Sequence, residues 1–72
     1  MQIAYFDFFG TPAKLFLDED GLPERCEMYD STTDSFVLRD DLTVDVWSAS
    51  GSNLIYEQEF ERLLARARAK SD

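Results

Sequence analysis

The sequence predicts an α+β domain: an antiparallel sheet of four to five strands joined as a meander, with one C-terminal helix packed on one face. Three observations lead there. Residues 2–47 alternate short apolar runs with turn-forming stretches at Gly10-Thr11-Pro12, Asp18 to Pro23, Asp30 to Asp34 and Asp40-Asp41, the pattern of strands joined by tight connections. Residues 54–70, LIYEQEFERLLARARAK, repeat apolar side chains at three- and four-residue steps, with no interior glycine or proline. The chain has 72 residues, which is one domain, 1–72, with the sheet in 1–53 and the helix in 54–70. A domain this small buries only about 60% of its unfolded surface, so its core is thin.

The first strand is QIAYFDFF, residues 2–9, rich in aromatic side chains. Gly10-Thr11-Pro12 is expected to break it, because proline has no N–H to give to a ladder. The second strand is KLFLD, residues 14–18. A four-residue loop from Gly10 to Ala13 pairs Phe8 with Leu15 and Phe6 with Leu17, which makes one face apolar and turns Asp7 away with Lys14 and Phe16. A three-residue loop would set Asp7 on the core face, so the longer loop is preferred.

Asp18-Glu19-Asp20-Gly21 is the strongest turn. Its acids match part of a calcium loop, but the twelve-residue pattern and its flanking helices are missing, and a solvated turn is the better reading. RCEMY, residues 25–29, alternates and sends Cys26 and Met28 inward. Asp30 to Asp34 is a loop of side chains that bond their own backbone. Residues 35–39 and 42–47 read as two further strands around Asp40-Asp41. A two-residue turn there would pair Phe36 with Asp45, so an irregular turn or bulge is expected.

Residues 48–53, SASGSN, read as the linker, with Ser52 or Asn53 capping the helix. Within the helix, Tyr56, Phe60, Leu63, Leu64 and Ala67 form one stripe. Glu57, Glu59 and Glu61 lie early and Arg62, Arg66, Arg68 and Lys70 late, as the helix dipole favours. If Phe6, Phe8, Leu15, Leu17, Met28, Phe36, Leu38, Val44 and Val46 meet this helix, the other face keeps Tyr5, Phe9, Phe16, Tyr29, Val37 and Trp47. One helix cannot cover both. That second face either contacts a partner or another copy, or packs its aromatics on each other and on charged stems. Tyr29 and Trp47 are the candidate contact residues, since rigid aromatics often dominate interfaces.

The formal net charge is −8, and residues 1–53 account for all of it, with eleven acids against Lys14, Arg25 and Arg39. Such a field repels nucleic acid and anionic membranes and favours basic partners; alternatively it only keeps the domain in solution. The single cysteine, Cys26, cannot form an internal disulfide, and with no histidine to activate it the side chain reads as core. No cofactor, metal or catalytic residue is expected, and no carboxylate pair is marked out for hydrolysis. The apolar start is interrupted by Asp7 and ends at Gly10. The chain is therefore expected to be soluble, unprocessed and cytoplasmic, with no membrane and no direct nucleic-acid contact.

Two functional readings follow. In the first, the acidic loops, with Asp18, Glu19, Asp20, Asp30, Asp34, Asp40 and Asp41, imitate the spacing of phosphates, and Tyr29 and Trp47 anchor the contact. In length and charge the chain resembles the small acidic proteins of phages and mobile elements, including anti-CRISPR proteins and DNA mimics. That resemblance implies a non-enzymatic inhibitor in the host-cell cytoplasm that blocks a basic nucleic-acid-binding surface on a larger protein. In the second, the chain is a structural or assembly module that homodimerises through its exposed aromatic face.

Overall fold

The computed structural model describes residues 2–70. Five strands, β1 (Gln2–Phe8), β2 (Thr11–Leu17), β3 (Pro23–Asp30), β4 (Ser35–Leu38) and β5 (Ser52–Ile55), form one open antiparallel sheet in the order β4-β3-β2-β1-β5. The first four are the expected meander, and β5 returns to pair with β1. Between β4 and β5 lie a 3₁₀ turn, Asp40–Leu42, and a short helix, α1 (Thr43–Ser48); the C-terminal helix is α2 (Glu57–Lys70). The α+β class is as the sequence predicts.

The first hairpin is tighter than expected. Its turn is Phe9-Gly10, both with positive φ (51° and 90°), which suits the right-handed twist of the flanking strands. Phe8 therefore pairs with Thr11, Phe6 with Ala13 and Ala4 with Leu15, in place of Phe8 with Leu15. The displacement is an even number of residues, so Phe6, Phe8, Leu15 and Leu17 still share a face. Three contacts hold the unusual backbone of Phe9. The Asp7 carboxylate accepts from Gly10 N at 2.7 Å. Phe9 N donates to Gly51 O at 3.0 Å. The Phe9 ring lies on Gly51, where an added Cβ would stand 2.1 Å from a ring carbon. Pro12 does not break β2: the β2–β3 ladder starts one residue later, at Ala13 with Met28, so its missing N–H interrupts no pair there.

Residues 42–47 are helical, contrary to the strand expected from their β-branched side chains. As a strand, Leu42, Val44 and Val46 would share a face. As a helix, the four-residue step sends Leu42 and Val46 into the core and leaves Val44 in solvent. The preceding residues release the chain from the sheet. β4 pairs only with Glu27 to Asp30. Beyond it Arg39 N donates to Cys26 O at 2.8 Å and Cys26 N to the Asp40 carboxylate at 3.3 Å. The edge of β3 is thus satisfied by a bend, and the chain crosses over the sheet. Tertiary demand overrides propensity here.

Residues 52–55, expected as linker and first helical turn, form β5, and α2 begins at Glu57. Ser52 caps no helix; its hydroxyl donates to Val46 O. Tyr56, placed in the stripe by the sequence, precedes the helix and is 83% exposed. Phe60 and Leu63 are the buried residues of α2, with Leu64 only half-buried.

Both faces of the sheet are covered. Phe6, Ala13, Leu15, Leu17, Cys26 and Met28 form the core under α1, closed by the fully buried Val46. The helix α2 lies on the other face, not on this one. There Phe60 packs between Tyr5 (ring centroids 4.7 Å apart) and Phe36 (5.8 Å, stacked), and Lys14 Nζ sits 4.3 Å above the Phe36 ring. Val37, not Phe36, pairs with Met28, and this places Phe36 and its partner Tyr29 on the α2 side.

Candidate functional site

The seven acids singled out in the sequence are divided between the two ends of the sheet. Asp18, Glu19 and Asp20 form the β2–β3 turn at one end, and Asp40 and Asp41 follow β4 at the same end. Asp30 and Asp34 flank the β3–β4 turn at the opposite end. They do not make one phosphate-like row.

Most of them are committed to holding the fold. The Asp18 carboxylate accepts from Asp20 N (2.9 Å) and Leu22 N (3.0 Å), which builds its own turn. The Asp30 carboxylate accepts from Thr32 N and the Thr32 hydroxyl, and these bonds lower its pKa. Asp34 receives the Tyr29 hydroxyl at 2.7 Å and Arg68 Nε at 2.9 Å. The Tyr29 hydrogen bond first, then Arg68, hold its carboxyl below the usual carboxylate range. Asp41 is gripped by both arms of Arg39 (3.1 and 3.0 Å), and its pKa is lowered by that bond. Asp40 satisfies the Cys26 amide. Burial first, then the Asp40 and Asp41 carboxylates, push the Cys26 thiol up to about 11, so it stays protonated and poorly nucleophilic at neutral pH.

Tyr29 is only 6% exposed, held under α2 by its bond to Asp34. Its side chain is committed inside the fold. Trp47 is 45% exposed at the end of α1, with its ring 6.5 Å from that of Phe6.

The two ends differ in charge compensation. At the β3–β4 end, Arg68 meets Asp34, and Arg66 and Lys70 line a cleft with Asp7, Tyr29 and Ser31. At the β2–β3 end, Arg39 is taken by Asp41 and Arg25 by Glu27 (3.6 Å). Among the described residues, no hydrogen bond or ion pair engages the carboxylates of Glu19, Asp20 or Glu24. With Gln2, Leu17 and Asp18 these three line an open acidic depression.

A second depression shares Gln2 and Leu17 with it and is apolar. Ile3, Ala4, Phe6, Trp47, Leu54 and Tyr56 line it, with Glu57 at its rim. Leu54 is 70% exposed. No lysine or arginine lines either depression. Sequence reading missed Leu54 and Tyr56 because both fell inside the expected helix 54–70, Tyr56 as part of its stripe. The signal that could have found them is the apolar run Leu54-Ile55-Tyr56, with its β-branched and aromatic members, shortly after Gly51.

This corner can attract cations and bury apolar groups. Among the described residues no three His, Cys, Asp or Glu side chains gather in a way that would hold a metal ion, and no helix is long and apolar enough to cross a membrane. Compared with known proteins, the chain matches no family model, no curated protein and no solved structure.

Proposed function

We propose that this chain is a non-enzymatic binding protein, acting in the cytoplasm, that holds a basic surface of a larger protein at its β2–β3 end. Where that surface binds nucleic acid, the chain competes for it and inhibits by occupancy. The observation that carries the reading is the unequal charge compensation of the two ends. Arg68 of α2 answers Asp34 at the β3–β4 end, while among the described residues no ion pair engages Glu19, Asp20 or Glu24. A cluster of one sign steers an oppositely charged partner and fixes its orientation. The turn that presents Glu19 and Asp20 is already tied by Asp18, so little ordering is lost on binding.

The test is capture from a bacterial lysate at low salt, with the wild-type chain and a Glu19→Gln, Asp20→Asn, Glu24→Gln triple variant. Proteins held by the wild type should be lost with the triple variant and released by competing duplex DNA. Retention that is indifferent to both would overturn the reading.

A second reading, a two-fold homodimer, is favoured by the exposed apolar side chains Trp47, Leu54 and Tyr56. It moves the contact from the sheet face, which α2 occupies, to the corner of the sheet. Light scattering decides it: a monomer at micromolar concentration counts against it.

A further inference from the structure

We propose that the apolar corner receives an extended segment of the partner as an added β-strand, with apolar and cationic side chains alternating along it. The inference rests on the basic-partner reading above and adds the conformation and chemistry of what is bound.

The backbone supplies the first argument. Phe9 N donates to Gly51 O on the β5 side of β1. Backbone direction alternates along a strand, so Asp7, Tyr5 and Ile3 direct their N–H and C=O groups to that same side. Asp7 pairs with Asn53 and Tyr5 with Ile55, where β5 ends. The chain then turns away through Tyr56 into α2. Among the described residues none pairs with the Ile3 N–H and C=O on that side, at the edge of the sheet in line with β5. Such an edge is a template for another strand.

Side chains supply the second. Successive residues of an added strand face opposite sides of the sheet. On the α1 side they meet Trp47, Leu54 and Ala4, which are apolar. On the α2 side they meet Ile3 and Glu57, whose carboxylate takes the Tyr5 hydroxyl at 3.4 Å. Continuing past Gln2 and Leu17, the segment enters the acidic depression of Glu19, Asp20 and Glu24. The occupant that fits is apolar on one side and cationic on the other. A second copy fits poorly: a two-fold contact here sets a rim that holds Glu57 and no base against itself.

The probe is an end-blocked heptapeptide alternating lysine and valine, titrated at low salt while the emission of Trp47, the only tryptophan, is followed. Binding with a shift in emission is expected. The same peptide with both its central valine and the preceding lysine N-methylated, which keeps the charge and removes one N–H from each edge of the bound strand, should bind about tenfold more weakly, the loss expected for about one hydrogen bond. Ile3→Pro in the chain should weaken the parent peptide to a similar degree, because it removes the edge N–H that the added strand would use. Circular dichroism establishes that this variant is folded, and the N-methylated peptide tests the idea independently of it. Equal binding of the two peptides overturns strand addition and leaves the basic-partner reading standing. No binding of either peptide at low salt overturns both. Emission that changes with chain concentration alone gives the corner to a second copy and also overturns the proposal.

Discussion

The two faces of the sheet are closed by helices of unequal length, and they are closed in different ways. Under α1 a six-residue helix, whose one buried side chain is Val46, covers a core that is mostly aliphatic apart from Phe6 and Phe8. Under α2 a fourteen-residue helix covers a mixed layer of Tyr5, Lys14, Tyr29 and Phe36, through Phe60 and Leu63. The short helix suffices because the sheet's own residues fill most of that core. The long one is needed because its face carries rings and a lysine whose charge must stay near solvent. Neither helix covers the corner at Gln2 to Ala4: α1 and α2 contribute only Trp47 and Glu57 to it, and Ile3, Leu54 and Tyr56 stay exposed beside them.

Phe60→Ala should have the largest effect, since Phe60 alone joins the Tyr5 and Phe36 rings. A loss of about 3–5 kcal/mol is expected in urea unfolding. Val46→Ala removes the plug of the other face and should cost about 2 kcal/mol. If Val46→Ala proves the more damaging, the ranking of the two faces is inverted. Gly51→Ala strikes the joint between the two covers. Its new methyl would overlap the Phe9 ring, and repacking should cost about 1 kcal/mol or somewhat more, with the turn distorted.

The smallest expected effect is on the acid-side pH dependence, to which Asp30 and Asp41 also contribute and in which Asp34 supplies the part on the α2 side. The Asp34 carboxyl titrates below its ordinary value of 3.8 because Tyr29 and Arg68 hold its charged form. A lowered folded-state pKa contributes stability that is complete above the unfolded value and disappears as pH falls through the folded one. The loss should therefore set in below about pH 4, and Asp34→Asn should remove the Asp34 share of it. An unchanged acid limb in that variant would mean that α2 is held by packing alone.

Much of this fold is legible in the sequence. The meander from Gln2 to Leu38 and the helix through Phe60 are carried by local periodicity. So is the shared face of Phe6, Phe8, Leu15 and Leu17, which depends on parity and survives the wrong loop length. What escaped was decided by tertiary context. Leu42 to Trp47 has strand-like composition, yet becomes a helix because a face needed a cover and β3's edge was already satisfied by Arg39 and Asp40. Ser52 to Ile55 becomes a strand because β1 had a free edge. The candidate site was legible in half. The acids of the β2–β3 turn were identified, with Trp47. That Asp34 is answered by Arg68, 34 residues away in sequence, and that Tyr29 is buried, follow from where α2 lies and from no local signal.

Binding of heptalysine at low salt tests the central claim most directly, with two neutralised variants compared side by side. Glu19→Gln, Asp20→Asn, Glu24→Gln should lose most of the affinity, while Asp30→Asn, Asp34→Asn should keep it, because those acids already have partners within the chain. Equal losses in the two variants would mean that the peptide senses only the net charge of −8 and that the β2–β3 end is no site.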